Sequence, residues 1–242
     1  DQWYLSNAFD PGVDVRAPEV WGLGYTGAGV VIGIIENNGF RTDHEDLAPT
    51  FDSSLSQTTQ FVSDHMTSVA GIAGGAGNNG IGITGAAYGA TLAQRLIGST
   101  TATASARGAL SADIDIKNNS WGPADDGRFD FPSPTIMNTI ETAALTGRGG
   151  RGTVFVWAGG NGAGADDRVD YDPYASSRYT IAVGAIGDDN RRAGYSEPGA
   201  SLLVGAYSNG GFRSITTTRG NGGYTSGFGG TSAASPLAAG VV

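Results

Sequence analysis

The sequence predicts an α/β domain in which a mainly parallel central sheet carries helices on both faces. Short β-branched apolar runs alternate along the chain with stretches of helical periodicity. Glycine, asparagine or aspartate bounds most of those runs. The runs are also continuously apolar, which is the pattern of strands covered on both sides.

Taken in order, residues 30–35 (VVIGII), 81–83 (IGI), 153–157 (TVFVW), 179–183 (YTIAV) and 202–204 (LLV) read as buried strands. Residues 67–73, 102–110, 134–145 and 233–242 read as helices. In the third of these, Ile136, Ile140, Ala143 and Ala144 share one face. A parallel sheet places its site beyond the carboxyl ends of its strands, so the loops after the strands are where chemistry is expected.

Bulk properties narrow the function. The 242 residues, 39% of them hydrophobic, are enough for one domain with a full core. The 41 glycines show no G-X-Y period and imply many tight turns and close backbone approaches. Fourteen basic against 23 acidic residues give a net charge of -9, which disfavours nucleic acid or an anionic membrane as partner and suits cationic ligands, metal ions among them. No apolar run reaches the roughly 20 residues of a membrane span, and no signal segment opens the chain. With no cysteine, disulfides, thiol nucleophiles and Cys-ligated zinc are excluded. The last apolar helix stops uncapped at Val242, so the native chain is expected to continue there or to have been cut.

Within "GGTSAASPLAAGVV", Ser232 follows Gly-Gly-Thr at the mouth of an apolar helix, where its hydroxyl is exposed and its N–H lies at the positive helix end. That suits a nucleophile; an N-cap serine is the alternative. Pro236 falls in the first turn of the expected helix and fits both. A nucleophilic serine needs a base, and the chain has two histidines, His44 and His65. His65 opens a small-residue helix and is the candidate, whereas His44, in the polar turn "RTDHEDL", reads as a solvated loop residue. Asn161, in "VFVWAGGNGAG", sits at the end of a buried strand and can supply an amide donor to an oxyanion, although asparagine before glycine is also a common turn.

Together with "QWYLSN", "GYTGAGVVIGII", "HMTSVAGI", "GNNGIGITGAAYGATL", "NNSWGPADDGR" and "YSEPGAS", these pieces carry a likeness. The sequence resembles the subtilisin-like serine proteases, and within them the kexin and furin-like proprotein convertases, over almost its whole length. The resemblance implies a subtilisin-like three-layer fold, with residues 1–242 forming one peptidase catalytic domain. It implies Ser232 as nucleophile, His65 as general base and then acid, and Asn161 as oxyanion donor. It also implies that the backbone of Ser120, Trp121 and Gly122 pairs with an extended substrate.

The family places an acid at the end of the first core strand, and here two counts compete. Forward from "GYTG" that position falls on Glu36; backward from "HEDL" and Gly39 it falls on Asn37. An insertion inside the strand would flip every later side chain to the other face, whereas one in the "NNG" turn costs little, so Glu36 is favoured. A carboxylate also stabilises imidazolium, which an asparagine does not. Met66 stands where the family has glycine after its histidine and is expected to crowd the substrate channel or to conflict with Glu36.

Resemblance to the kexin branch further implies a calcium ion held by Asp125, Asp167 and Glu197 beside the primary specificity pocket. Asp172, with Asp125, would face that pocket and select arginine or lysine. A second calcium site is expected at Asp46 and Asn79 by side chain and at Ile81 and Ile83 by carbonyl. The family's second aspartate in its D-D-G turn aligns with Asn37, which weakens a strict basic requirement at the next substrate position. The expected partners are polypeptides with basic residues, and also a propeptide, inhibitor or chaperone. The short segment 50–64 and the absence of cysteine fit a bacterial enzyme, secreted or extracellular, the periplasm included. A catalytically impaired peptide-binding relative and a transacylase are the competing readings.

Overall fold

The computed structural model describes residues 1–97 and 113–242, and the helix expected over 102–110 lies outside them. Six strands form one sheet in the order β2-β1-β3-β4-β5-β6, and every neighbouring pair is parallel. They are β1 (Val31–Glu36), β2 (Thr91–Leu96), β3 (Ile116–Asn119), β4 (Val154–Ala158), β5 (Thr180–Ile186) and β6 (Leu202–Tyr207). An antiparallel hairpin, β7 (Ile215–Thr218) with β8 (Tyr224–Phe228), stands apart from the sheet.

Helices cover both faces, as the sequence predicts. On one side α2 (Asp64–Gly74) and α4 (Thr231–Val241) pack on each other and on the strands through Met66, Val69, Ile72, Ala234 and Leu237, which meet Ile32, Ile34, Leu92, Val156 and Val183. On the other side α3 (Pro134–Gly150) sets Ile140 and Ala143 against Phe155, Trp157 and Ala182. Strand β4 illustrates the division: Val156 faces the first core, and its neighbours Phe155 and Trp157 face the second, as a two-residue side-chain period requires. A short helix α1 (Ala17–Gly22) precedes β1.

Four readings from sequence need correction. Residues 81–83 are not a strand: Gly80 and Gly82 on either side of Ile81 take positive φ, 76° and 51°, and the segment is a loop with Ile81 exposed. Residues 202–204 are a strand, but an edge one, with Leu203 and Val204 exposed. His44 is not solvated; it is buried at 2% exposure, its Nδ1 accepting from the Asp46 N–H and its Nε2 meeting the Gly223 carbonyl at 2.9 Å. The last helix begins at Thr231, which puts Pro236 in its second turn.

Strands β2, β3, β7 and β8 have no counterpart in the sequence reading. β3 is central yet reads IKNN, and Lys117, Asn118 and Asn119 are all buried. Their polar groups are engaged: the Asn118 Nδ2 donates to Ser120 Oγ at 3.0 Å, and Asn118 Oδ1 accepts from Ser235 Oγ at 2.7 Å. Burial lowers the Lys117 pKa to about 7, and Arg95 adds repulsion.

Candidate active site

Glu36 ends β1 with its side chain buried, and β1 pairs with β2 without a register break through Glu36 itself. An exposed turn at Asn37 and Asn38 follows directly. After that turn, Gly39 bridges to Val62, and the Ser63 N–H donates to the Gly39 carbonyl. This returns the chain directly to α2, whose N-cap Ser63 accepts from the Met66 N–H. His65, the second residue of α2, thereby meets Glu36, with Nδ1 3.0 and 2.9 Å from the two carboxylate oxygens.

Burial raises the Glu36 pKa, partly offset by the His65 hydrogen bond and charge. At His65 burial disfavours the imidazolium, but the hydrogen bond and charge of Glu36 outweigh it, and the pKa is raised. Met66 does not enter the cleft: it is wholly buried in the core between helices and sheet, so the expected crowding does not arise.

Ser232 is the second residue of α4, whose N-cap is Gly230, so it is not itself the cap. At that position its N–H has no carbonyl four residues back within the helix. Its Oγ lies 3.5 Å from the Ser120 carbonyl. Pro236 lacks the N–H that would bond the Ser232 carbonyl in a regular helix, and that carbonyl accepts from Ser120 Oγ at 3.1 Å instead. Phe228, at the end of β8, meets the His65 ring edge-on with centroids 5.5 Å apart.

Asn161 follows β4, and its Oδ1 accepts from the Thr231 N–H at 2.8 Å and from Thr231 Oγ1 at 3.1 Å. A backbone N–H can only donate, so the amide oxygen is fixed on Thr231 and Nδ2 is the end left for a ligand. Ser120, Trp121 and Gly122 follow directly on β3. The Trp121 carbonyl accepts from Trp157 Nε1 at 2.7 Å and faces away from the cleft. The Ser120 carbonyl lies instead beside Ser232 Oγ, at 3.5 Å.

These residues line a cavity of about 90 Å³ with five carboxylates, those of Asp125, Asp130, Asp167, Asp172 and Glu197. Asp172 Oδ1 is held by the N–H groups of Tyr174 and Ala175 at 2.7 and 3.1 Å. Its Oδ2 would stand 3.0 Å from a Cβ at Gly122, so a side chain there would close on it. Burial chiefly, with Asp130 and Asp167 adding repulsion, pushes the Asp172 pKa up to about 6.

Asp125, Asp167 and Glu197 offer oxygens that all lie within 4.8 Å of one another. Each also has one oxygen on a backbone N–H, from Asn161, Arg168 and Gly162 respectively. Burial, with the charges of Asp167 and Asp125, raises Glu197 to about 7. One committed oxygen per residue and three converging acids fit a hard cation.

Around Asp46 the outcome differs from expectation. Asn79 and Ile83 do meet it, but through Nδ2 and the backbone N–H, each at 2.8 Å, and the Ile81 N–H donates to Asn79 Oδ1 at 3.2 Å. Sequence reasoning missed Tyr224, whose hydroxyl reaches Asp46 as well. It also missed Asn118, Thr231 and Ser235, which orient the candidate groups; all are polar residues in apolar or glycine-rich surroundings, a signal easily taken for turn chemistry.

A family model described as "Subtilase family" matches residues 27–242. The chain is 37% identical over 261 residues to Endoprotease bli-4 of Caenorhabditis elegans, covering 100% of this chain and 28% of that protein. It is 37% identical over 267 residues to Neuroendocrine convertase 2 of Homo sapiens, covering 99% of this chain and 42% of that protein. The chain thus spans less than half the length of these relatives. Among solved structures, the serine protease of Aeromonas sobria in complex with its chaperone ORF2 superposes with a TM-score of 0.82 at 21% identity, covering 99% of this chain and 52% of that one. A protease of Pseudoalteromonas arctica gives 0.74 at 24% identity, over 99% of this chain and 83% of that one. Both superpositions speak to the fold alone. With the family match running from the turn before β1 to the end of α4, the chain belongs to the subtilase family.

Proposed function

We propose that this chain is the catalytic part of a serine endopeptidase that cleaves after arginine or lysine through an acyl-enzyme. Ser232 attacks the scissile carbonyl, and His65 takes its proton and returns it to the leaving amine. Glu36 holds the Nδ1–H tautomer and stabilises the imidazolium. The Ser232 N–H and Asn161 Nδ2 receive the oxyanion. Ser120 and Gly122 pair with the substrate backbone as an added strand. The observation that carries this reading is the Glu36 carboxylate on His65 Nδ1, because that contact gives the imidazole the orientation and tautomer a general base needs.

Asp172, aided by Asp125, recognises the basic side chain: a buried carboxylate with no ion-pair partner among the described residues gains most from a cationic ligand. Calcium held by Asp125, Asp167 and Glu197 would neutralise the neighbouring acids and fix that wall of the pocket. By likeness to the convertases, the protein acts outside the cytosol on polypeptides and meets a propeptide or chaperone. No helix among the described residues is long and apolar enough to cross a membrane.

The test is hydrolysis of a fluorogenic peptide ending in Lys-Arg, with calcium, by the wild type beside Ser232→Ala. Turnover lost in the variant supports the reading. Wild-type turnover no greater than that of the variant overturns it in favour of a peptide-binding relative. Products longer than the substrate would instead identify a transacylase.

A further inference from the structure

The second expected calcium site fails the chemistry of its own donors. Calcium takes six to eight oxygens at about 2.3–2.6 Å, and it needs lone pairs facing the ion. Asp46 has 0% exposure, yet both of its oxygens are already bonded to hydrogen donors. Oδ1 accepts from Asn79 Nδ2 at 2.8 Å, and Oδ2 accepts from the Ile83 N–H at 2.8 Å. Because the Ile81 N–H requires Asn79 Oδ1 as acceptor, the Asn79 amide must turn its nitrogen toward Asp46. The donor ends of Asn79 and Ile83 thus stand where a cation would have to be.

The remaining space is filled by Tyr224. Its hydroxyl lies 2.8 Å from Asp46 Oδ2 and 2.7 Å from Glu45 Oε1. Burial and hydrogen bonds to these two acids hold the phenol protonated far above its ordinary range. Gly82, at a φ of 51°, passes so close that an added Cβ would clash with both Asp46 Oδ2 and the Tyr224 hydroxyl. His44 makes a second tie between the same elements. The Asp46 N–H fixes its Nδ1 as acceptor, so its Nε2 donates to the Gly223 carbonyl, and its ring meets Tyr224 edge-on at 5.1 Å.

We propose that in this chain the Tyr224 hydroxyl stands in place of a divalent cation, latching loop 76–83 to the hairpin that leads to Ser232. Calcium demand is then confined to Asp125, Asp167 and Glu197, a clause that rests on the reading of the cleft given above. The latch is a proton-donor network, and it holds whether or not calcium is present.

Calcium titration of the chelator-stripped chain by calorimetry tests this. The expected result is one site, abolished in Asp125→Asn. A site that persists in Asp125→Asn and disappears in Asp46→Asn overturns the latch. Absence of any calcium binding supports the latch and sinks only the metal assignment in the cleft. Hydrogen exchange at the Ile83 amide gives an independent reading: Tyr224→Phe is expected to lose tenfold or more in protection, with no recovery on adding calcium. Unchanged protection, or recovery with calcium, overturns the proposal. Should Tyr224→Phe fail to fold, the titration of the wild type and Asp125→Asn still decides.

Discussion

Both carboxylate oxygens of Glu36 stand at nearly equal distance, 3.0 and 2.9 Å, from a single atom, His65 Nδ1. A glutamate at the end of β1 reaches the ring that a shorter acid would approach from a different backbone position. Glu36→Gln keeps the shape but offers its amide nitrogen in one orientation and loses the charge that stabilises imidazolium; kcat is expected to fall by about 10³–10⁴. Glu36→Asp keeps the charge and withdraws it by one methylene, and a loss of about 10² is expected. Stopped-time peptide assays of the two variants check the order; an Asp variant as impaired as Gln would place charge second to reach.

The acid limb of the pH–rate profile follows from the same pair. Catalysis needs neutral His65, and its pKa lies above the ordinary 6.5, so kcat/KM should rise with pH through a midpoint above that value. In Glu36→Gln the midpoint should move down. For stability the sign is that of a raised base: the His65 contribution is complete below 6.5 and is lost as pH rises through the folded-state value. Thermal melts across that window read the second effect.

Asp172 moves stability in the same direction as His65, through a lower pH window. Its pKa is raised to about 6 from 3.8, so the cost of the buried charge is absent below 3.8 and complete above 6. Asp172→Asn is therefore expected to stabilise the substrate-free chain at neutral pH by about 1–3 kcal/mol, while the preference for arginine over a neutral residue drops by about 10² in kcat/KM. A variant that melts earlier, or one that keeps its preference, would place the specificity elsewhere among the five acids.

Asn161→Ala removes the proposed side-chain oxyanion donor and takes from Thr231 its acceptor Asn161 Oδ1. A fall of about 10²–10³ in kcat with little change in KM is expected. If KM rises in step with the fall in kcat, Asn161 serves ground-state binding instead.

The sheet was legible where strands are apolar. The runs at 153–157 and 179–183 correspond to β4 and β5, and Glu36 was reached by refusing to break the strand register. β3 was not legible because a central strand that reads IKNN has part of its burial cost met by Ser235, 117 residues away from Asn118. Ile81 and Ile83 misled for the converse reason: an apolar run flanked by glycines at positive φ cannot extend. His44 looked solvated because its neighbours are charged, and only the fold brings the Gly223 carbonyl to it. Four acids of the cleft, Asp125, Asp167, Asp172 and Glu197, were readable from resemblance and Asp130 was not, whereas the donors that orient them, being backbone N–H groups, carry no side-chain signature.

Pro236 makes the proposed substrate edge at Ser120 and the proposed nucleophile Ser232 a single mechanical body. Since the helix cannot claim the Ser232 carbonyl for itself, Ser120 rivets that carbonyl to the strand on which a peptide would lie. Displacement of the strand by a bulky or mis-registered peptide is thereby transmitted to the helix start that carries Ser232, so a poor fit at a distance and misalignment of the hydroxyl become one event.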